Sequence, residues 1–274
     1  MKTTFIFCAV GVALFTTLQA KATPHPLPFN YPYATLPQGT AEIETYADFT
    51  PDRVYADPAG DPTQGRLWEP RYYLQIESEF GITDRTEGAF YIAAQGEPQN
   101  GGSNAFSLDG FKWRVRHRFV EAGKWPVDVG VYLELETMHD EIALEEKLLL
   151  EKQVGRFRFD VNLWIEQALT RPFDDAQRQL EFIINPTAGF TYQVTPAFHL
   201  GLEYWARGRL DVSSSDPDYP SERVTNFFGP TIHGNFGRAW VTLGLYANLN
   251  DMDKPQPGDF YGPIWARALF GLEL

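Results

Sequence analysis

The sequence contains one cysteine, Cys8, which lies in an apolar stretch near the N-terminus. The rest of the chain therefore offers no disulfide and no thiolate metal ligand. No later run approaches the roughly eighteen consecutive apolar residues of a membrane-spanning helix, so none is predicted. Basic residues are also few, since 23 Lys and Arg face 36 Asp and Glu and give a net charge of -13. A nucleic acid is not an expected partner, because its phosphates repel so acidic a chain.

The N-terminus has the pattern of a secretory signal peptide. Lys2 precedes an apolar stretch over residues 5–15, and Ala20 and Ala22 form the small-x-small pattern that a signal peptidase recognises. We predict a signal peptide over residues 1–22. Residues 23–39 then contain five prolines and several aromatic residues, which predicts an extended periplasmic leader and not a folded domain.

Apolar and polar residues alternate with a period of two from residue 40 to residue 274. Residues 111–119 alternate mostly apolar or aromatic with basic side chains, whereas 127–136 and 157–166 carry mainly acidic or amide polar positions. We count about twelve such segments, each close to the ~10 residues that a tilted membrane strand requires. Residues 142–153 also fit a short amphipathic helix, but strands on both sides favour a strand there.

Short and long connections alternate between these segments, which is typical of an outer-membrane barrel; residues 138–140 are the one short connection on the long-loop side. A soluble two-sheet sandwich also alternates. However, a barrel of about twelve strands is too wide for its own side chains to fill, and an apolar interior would be a void. We therefore predict an all-β fold over residues 40–274, a single antiparallel transmembrane β-barrel of about twelve strands with a polar, charged lumen. An even strand number places both termini at the short-turn, periplasmic rim.

Several short stretches resemble a family of uncharacterised Gram-negative outer-membrane barrels, loosely labelled as transporters or as relatives of phenol-degradation-pathway barrels. These stretches are TLPQG at 35–39, EFGITDR at 79–85, EEKLLL at 145–150 and FGPT at 228–231. The resemblance implies an outer-membrane location. It names no substrate.

The polar positions of the alternating segments are predicted to face the lumen and to form a cluster of charges there. Its members are Lys112, Arg114, Arg116, Arg118, Asp128, Glu134, Glu136, Glu145, Lys147, Glu151, Arg158, Asp160, His199, Glu203, Arg207 and His233. Tight turns would place Arg118 opposite Asp128, Lys112 opposite Glu134 and Glu151 opposite Arg158, and opposite charges across a ladder attract. The apolar positions are predicted to face lipid, and aromatic residues among them are predicted to form a girdle near the short-turn rim. Its members are Phe80, Phe119, Phe157, Phe159, Phe190, Tyr192 and Phe198.

These features predict a narrow passive channel for small hydrophilic solutes in the outer membrane of a Gram-negative bacterium. The alternative is a closed barrel whose ion pairs hold the wall and conduct nothing. A lipid-modifying enzyme is less favoured, because neither His117 nor His233 has a serine beside it on its strand. Residues 139–141 and 251–253 are interpreted as solvated acidic loops, so we predict no metal site and no cofactor. The expected partners are outer-membrane lipid, lipopolysaccharide and the barrel-assembly machinery.

Overall fold

A computed structural model describes residues 25–55, 66–98, 104–171, 179–209, 224–250 and 261–274. The predicted signal peptide lies outside these residues. All regular secondary structure in the described part of the chain is strand. The strands are β1 (Ala41–Tyr55), β2 (Arg66–Thr83), β3 (Thr86–Pro98), β4 (Asn104–Arg118), β5 (Asp128–Met138), β6 (Glu141–Val154), β7 (Phe157–Thr170), β8 (Gln179–Ile184 and Thr187–Thr195), β9 (Phe198–Arg209), β10 (Thr225–Phe236), β11 (Ala239–Asn248) and β12 (Ile264–Glu273). No helix among the described residues is long and apolar enough to cross a membrane.

Each strand pairs antiparallel with its neighbour in sequence, and β12 pairs with β1 to close the sheet. The prediction of a single barrel of about twelve strands is confirmed. β8 is interrupted at Asn185 and Pro186, and both of its segments pair with β7. Residues 142–153 lie within β6, so the strand interpretation is also confirmed there. Closure leaves no exposed strand edge, and every strand can bond its backbone on both sides.

Apart from the two-residue connection between β5 and β6, at His139 and Asp140, the short connections lie at one rim of the barrel, as the sequence predicted. Two of them are two-residue turns that begin with a glycine at positive φ, Gly155 (62°) and Gly237 (79°). Such turns favour φ values that residues with a Cβ rarely adopt. The connection between β4 and β5 is longer, and here the predicted register was wrong by two residues: Arg118 lies opposite Gly130, and Lys112 lies opposite Glu136. A tight turn at Gly123 was assumed, whereas nine residues separate the two strands.

Large apolar side chains form a continuous exposed band around the outside of the barrel. Trp113, Leu163 and Leu245 are each more than half exposed, and the residues that alternate with them face inward. An exposed apolar surface this extensive requires a partner that is not water. The band therefore identifies the lipid-facing surface of a membrane barrel.

The outer face gives a direct test of this orientation. Leu163 lies in the middle of β7. We expect Leu163→Arg to destabilise the folded barrel in liposomes by about 2–4 kcal/mol, because the charge enters the hydrocarbon core. Val154→Arg, at the end of β6 beside a short turn, is the matched control and should cost only about 0–1 kcal/mol. Equal costs in urea unfolding titrations would contradict the orientation.

Candidate functional site: the filled lumen of the barrel

The structure places the charges of the predicted lumen cluster on the inner face. Most are buried, and Arg118, Glu151, Arg158, His199 and Arg207 are partly buried. The predicted girdle residues lie on the outer face near the short turns. Phe157 and Tyr192 pair across β7 and β8 with ring centroids 5.0 Å apart, and Phe159 and Phe190 pair at 6.1 Å.

Two arginines on β4 hold the acidic side chains of the first strands. Arg114 Nη2 lies 2.6 Å from Glu77 Oε1 and also contacts Glu79, while its Nη1 lies 2.7 Å from Glu87. Arg116 contacts the same oxygen of Glu87 at 2.5 Å. All five side chains are almost completely buried. Such a cluster persists only because each charge has partners, since an unpaired buried charge costs several kcal/mol.

A second cluster surrounds two lysines on β4 and β6. Lys112 Nζ lies 3.0 Å from Glu136, its partner in the ladder, and 3.3 Å from Glu134, which is diagonal to it. Lys147 Nζ lies 2.6 Å from Glu145 and sits over three aromatic rings. These rings belong to Tyr31, Tyr132 and Trp164, at 4.1, 3.7 and 3.8 Å. Ammonium and aromatic faces attract each other more strongly when water is absent.

The predicted pairs at the short-turn rim form only in part. Arg158 Nη2 contacts Glu151 at 3.1 Å, although Glu151 lies opposite Asp160 in the ladder. Arg118 instead donates to the backbone oxygen of Asp84 and contacts Glu121 at 2.8 Å. The two-residue register shift between β4 and β5 explains why Arg118 does not pair with Asp128.

Residues 25–36, here called the lumenal segment, pass through the inside of the barrel. The sequence predicted an extended leader in the periplasm; the segment is indeed neither helix nor strand, but the structure places it in the lumen. Leu27, Phe29, Tyr33 and Leu36 are at most 5% exposed. The lumen is wider than its wall side chains can fill, and these apolar side chains gain by leaving water.

Glu203 on β9 binds the apex of the lumenal segment. Its Oε1 accepts hydrogen bonds from Phe29 N (2.9 Å), Asn30 N (2.8 Å) and Asn30 Nδ2 (2.9 Å), while its Oε2 accepts from the Tyr246 hydroxyl. The Phe29 ring stacks on Trp205 at 4.2 Å and lies 3.8 Å from the Arg267 guanidinium. The apex is thus held by one carboxylate and one aromatic cluster.

Wall side chains also satisfy the backbone of the segment as it returns toward the short-turn rim. Tyr31 N donates to Asn162 Oδ1 at 2.6 Å, and Leu36 N donates to Glu87 Oε2 at 2.7 Å. Tyr33 N donates to Glu151 at 3.4 Å. None of these bonds is part of the strand ladder, so the segment is anchored to side chains and not woven into the sheet.

Proline explains how a segment without secondary structure is buried. Pro26, Pro28 and Pro32 contribute no N–H groups, so fewer donors need partners. The carbonyl groups of Pro28 and Pro32 accept from Arg267 (3.4 Å) and Arg116 (3.3 Å). The alternation of proline with large side chains in residues 24–33 is consistent with a buried extended segment, although it does not indicate where that segment lies.

Among the described residues, the two histidines considered for an acyl-transfer site have other partners. On the outer face His117 Nδ1 lies 2.9 Å from Thr86 Oγ1, whereas Ser78 lies opposite Phe90, on a different strand pair. His233 is buried in the lumen, and its Nδ1 lies 2.7 Å from Thr242 Oγ1. These pairs do not form the serine, histidine and acid arrangement of a hydrolase.

No known protein-family model matches this chain. No curated protein matches it either. Among solved structures, an outer-membrane channel from Pseudomonas putida F1 aligns with a TM-score of 0.65 and 12% identity, over 88% of this chain and 98% of that one. The toluene transporter TodX from Pseudomonas putida (TM-score 0.44, 8% identity, 90% and 96% covered) and LpxR from Salmonella typhimurium (0.43, 8%, 85% and 99%) align less well. The resemblance to outer-membrane barrels is confirmed at the level of the fold, on the first of these alignments.

Proposed function

We propose that this protein is an outer-membrane channel for small hydrophilic solutes and that the lumenal segment closes it. The observation that supports this proposal is how the barrel wall holds the segment. It bonds to side chains of the wall, through Glu203, Asn162, Glu151 and Glu87, and it takes no part in the strand ladder. Withdrawal of the segment therefore leaves the barrel intact.

The proposed location rests on the same physical features. An apolar outer band and a charged inner face suit a barrel in lipid, and a signal peptide predicted over residues 1–22 suits export. We place the short-turn rim and both termini of the mature chain in the periplasm. Barrel-assembly machinery, lipid and lipopolysaccharide are the partners that this location implies.

Withdrawal of the segment would expose a hydrophilic path. Water would then replace the segment's backbone N–H groups as the hydrogen-bond partner of Glu87, Glu151, Glu203 and Asn162. Ionised carboxylates in contact with water are well solvated. The ion pairs of Arg114 and Lys112 remain within the wall. A lining of this kind holds water and small polar solutes, whereas an apolar lining dewets.

The alternative, a closed structural barrel, is favoured by one observation. Phe29 completes an aromatic cluster with Trp205, Phe227, Tyr246 and Trp265. If this cluster acts as a permanent core, then the lumenal segment never leaves and no current flows. The two functions differ in what happens when the anchor of the apex is removed.

Glu203→Ala is the test. The substitution removes the acceptor of three hydrogen bonds from the lumenal segment and of one from the Tyr246 hydroxyl. Bonds to a charged group contribute about 1.5–3 kcal/mol each. Because bonds to one oxygen are not additive, we expect the open fraction in planar bilayers to rise about tenfold, which corresponds to ~1.4 kcal/mol.

Glu166→Ala is the matched control, since Glu166 is a buried wall carboxylate that contacts Arg207, 3.2 Å away. Heat-modifiable gel mobility verifies that each variant is folded. If folded Glu203→Ala protein is as silent as the control, the channel proposal loses its support and the structural barrel is favoured.

A further inference from the structure

Three side chains converge where the first residue of the lumenal segment meets β1 and β2. They are His25, Glu44 and Glu79, and one ligand atom from each lies within 4.8 Å of the other two. His25 Nε2 lies 3.9 Å from Glu44 Oε1. All three residues are at most 1% exposed. A nitrogen and two carboxylates therefore share a site that is closed to bulk water.

Each of these side chains has a buried atom without a hydrogen-bond partner. The atoms are His25 Nε2, Glu44 Oε1 and Glu79 Oε2. The second oxygen of each carboxylate is engaged, because Glu44 Oε2 accepts from the Tyr46 hydroxyl at 2.6 Å and Glu79 Oε1 contacts Arg114. Buried polar atoms are nearly always bonded, so three that converge without partners indicate a missing ligand.

The charge of the surrounding cluster indicates the sign of that ligand. Glu44 lies directly opposite Glu77 in the ladder between β1 and β2. Like charges in this position are destabilising. Arg114 and Arg116 contact three carboxylates, those of Glu77, Glu79 and Glu87. Glu44 and Glu42, which lies opposite Glu79 in the ladder, add two further buried carboxylates. Carboxylates therefore outnumber arginines within this group, which favours a cation as the ligand.

We propose that His25, Glu44 and Glu79 bind a divalent transition-metal ion, with Zn²⁺ as the best fit. Zn²⁺ binds both imidazole nitrogen and carboxylate oxygen, and three protein ligands leave a fourth position for water. Calcium and magnesium prefer ligand sets made entirely of oxygen atoms. The site departs from the sequence-based prediction of no metal ligand, which considered only the outer loops.

Neighbouring contacts hold the His25 ring in place. The ring stacks on Trp240, with centroids 5.9 Å apart and planes 13° apart. The His25 carbonyl accepts a hydrogen bond from Thr242 Oγ1 at 2.6 Å. Such outer contacts orient metal ligands. The second acidic group, Glu134, Glu136 and Glu145, differs because two ammonium groups, those of Lys112 and Lys147, contact its carboxylates at 2.6 to 3.3 Å.

The position of His25 implies that a bound ion holds the lumenal segment inside the barrel, a role here called the latch. His25 belongs to the lumenal segment, whereas Glu44 and Glu79 belong to the wall, so a bound ion ties the segment to the barrel. This role rests on the proposed channel function. Binding itself does not, and it is measured without any current.

Calorimetric titration of Zn²⁺ into the chelator-treated, folded full-length protein tests the site. We expect one ion per barrel, and we expect this binding to be lost in His25→Ala and in Glu44→Gln. His139→Ala is the matched control, because His139 is an exposed histidine on an outer turn, and it should bind as the unaltered protein does. His25 lies outside the strand ladder, so its variant should fold. Absence of stoichiometric binding, or binding that survives His25→Ala, would overturn the site.

Current recordings test the latch separately. Zn²⁺ should reduce the open fraction of Glu203→Ala protein and should leave that of the His25→Ala, Glu203→Ala double variant unchanged. Zn²⁺ that binds at the site but leaves the current of both proteins unaltered would refute the latch. A Glu203→Ala barrel that never conducts counts against the channel function, and the calorimetric result then decides the metal site alone.

Discussion

Deletion of residues 25–36 from the full chain should convert a closed barrel into a pore that conducts continuously. The physical reason is that this segment supplies the side chains that fill the lumen, including Leu27, Phe29 and Tyr33. The strand ladders from β1 to β12 do not include it, so closure of the barrel is preserved. The wall loses apolar contacts worth about 3–5 kcal/mol at a site such as Phe29, so we expect a folded barrel of lower stability.

Stable single-channel conductance in planar bilayers is the measurement, with heat-modifiable mobility as the check on folding. Replacement of Phe29, Tyr31 and Tyr33 by serine keeps the chain length and removes only the filling side chains. This variant should conduct more than the unaltered protein and less than the deletion. A deletion variant that is folded in the same membrane and remains silent would favour the structural barrel.

The barrel itself could be predicted because strand structure has a local signature. In residues 111–119 the apolar positions face lipid and the basic positions face the lumen, and this assignment follows from the period of two alone. The ends of the strands could not be predicted as well. β1 continues to Tyr55 and β2 begins at Arg66, beyond the alternating core of each segment. There the chain contains proline and charged residues that weaken the pattern.

The register between β4 and β5 depends on the length of their connection, and this length was predicted incorrectly. Gly123 marks a turn, with φ of 76°, but it lies in a nine-residue connection and not in a hairpin of two residues. A shift of two residues keeps every side chain on its face. For this reason each polar side chain still faces the lumen as predicted, whereas the specific partners of Arg118 and Lys112 differ from the predicted ones.

The lumenal segment was the main feature that local pattern could not locate. Its position depends on contacts with residues more than a hundred positions away, such as Phe29 with Glu203 and Tyr31 with Asn162. No periodicity encodes such contacts. The acidic excess of the lumen was not predicted either, because the predicted cluster contains as many acidic residues as Lys and Arg. Backbone N–H groups of the segment now satisfy part of that excess, at Glu203 and Glu87.

The open barrel should prefer cations over anions. Thirteen Asp and Glu side chains are buried in the described part of the chain, against four Lys and Arg. The partly buried, inward-facing strand residues Arg71, Arg118, Arg158, Arg207 and Arg267 raise the basic count only to nine. Fixed negative charge along a narrow path raises the local concentration of cations. In a KCl gradient the reversal potential of the deletion variant should therefore lie toward the K⁺ equilibrium potential.

Salt and two matched variants separate this selectivity from a simple size effect. The preference should weaken between 0.1 M and 1 M KCl, because the Debye length falls from about 10 Å to about 3 Å. In the deletion background, Glu151→Gln with Glu203→Gln should move the reversal potential toward zero, since both carboxylates lose their partners in the lumenal segment and face the path. Glu146→Gln should not, because Glu146 lies on the outer face, where it accepts from Gln167 Nε2 at 3.2 Å. An anion preference, or an equal effect of the inner and outer substitutions, would show that the wall carboxylates do not set the field in the pore.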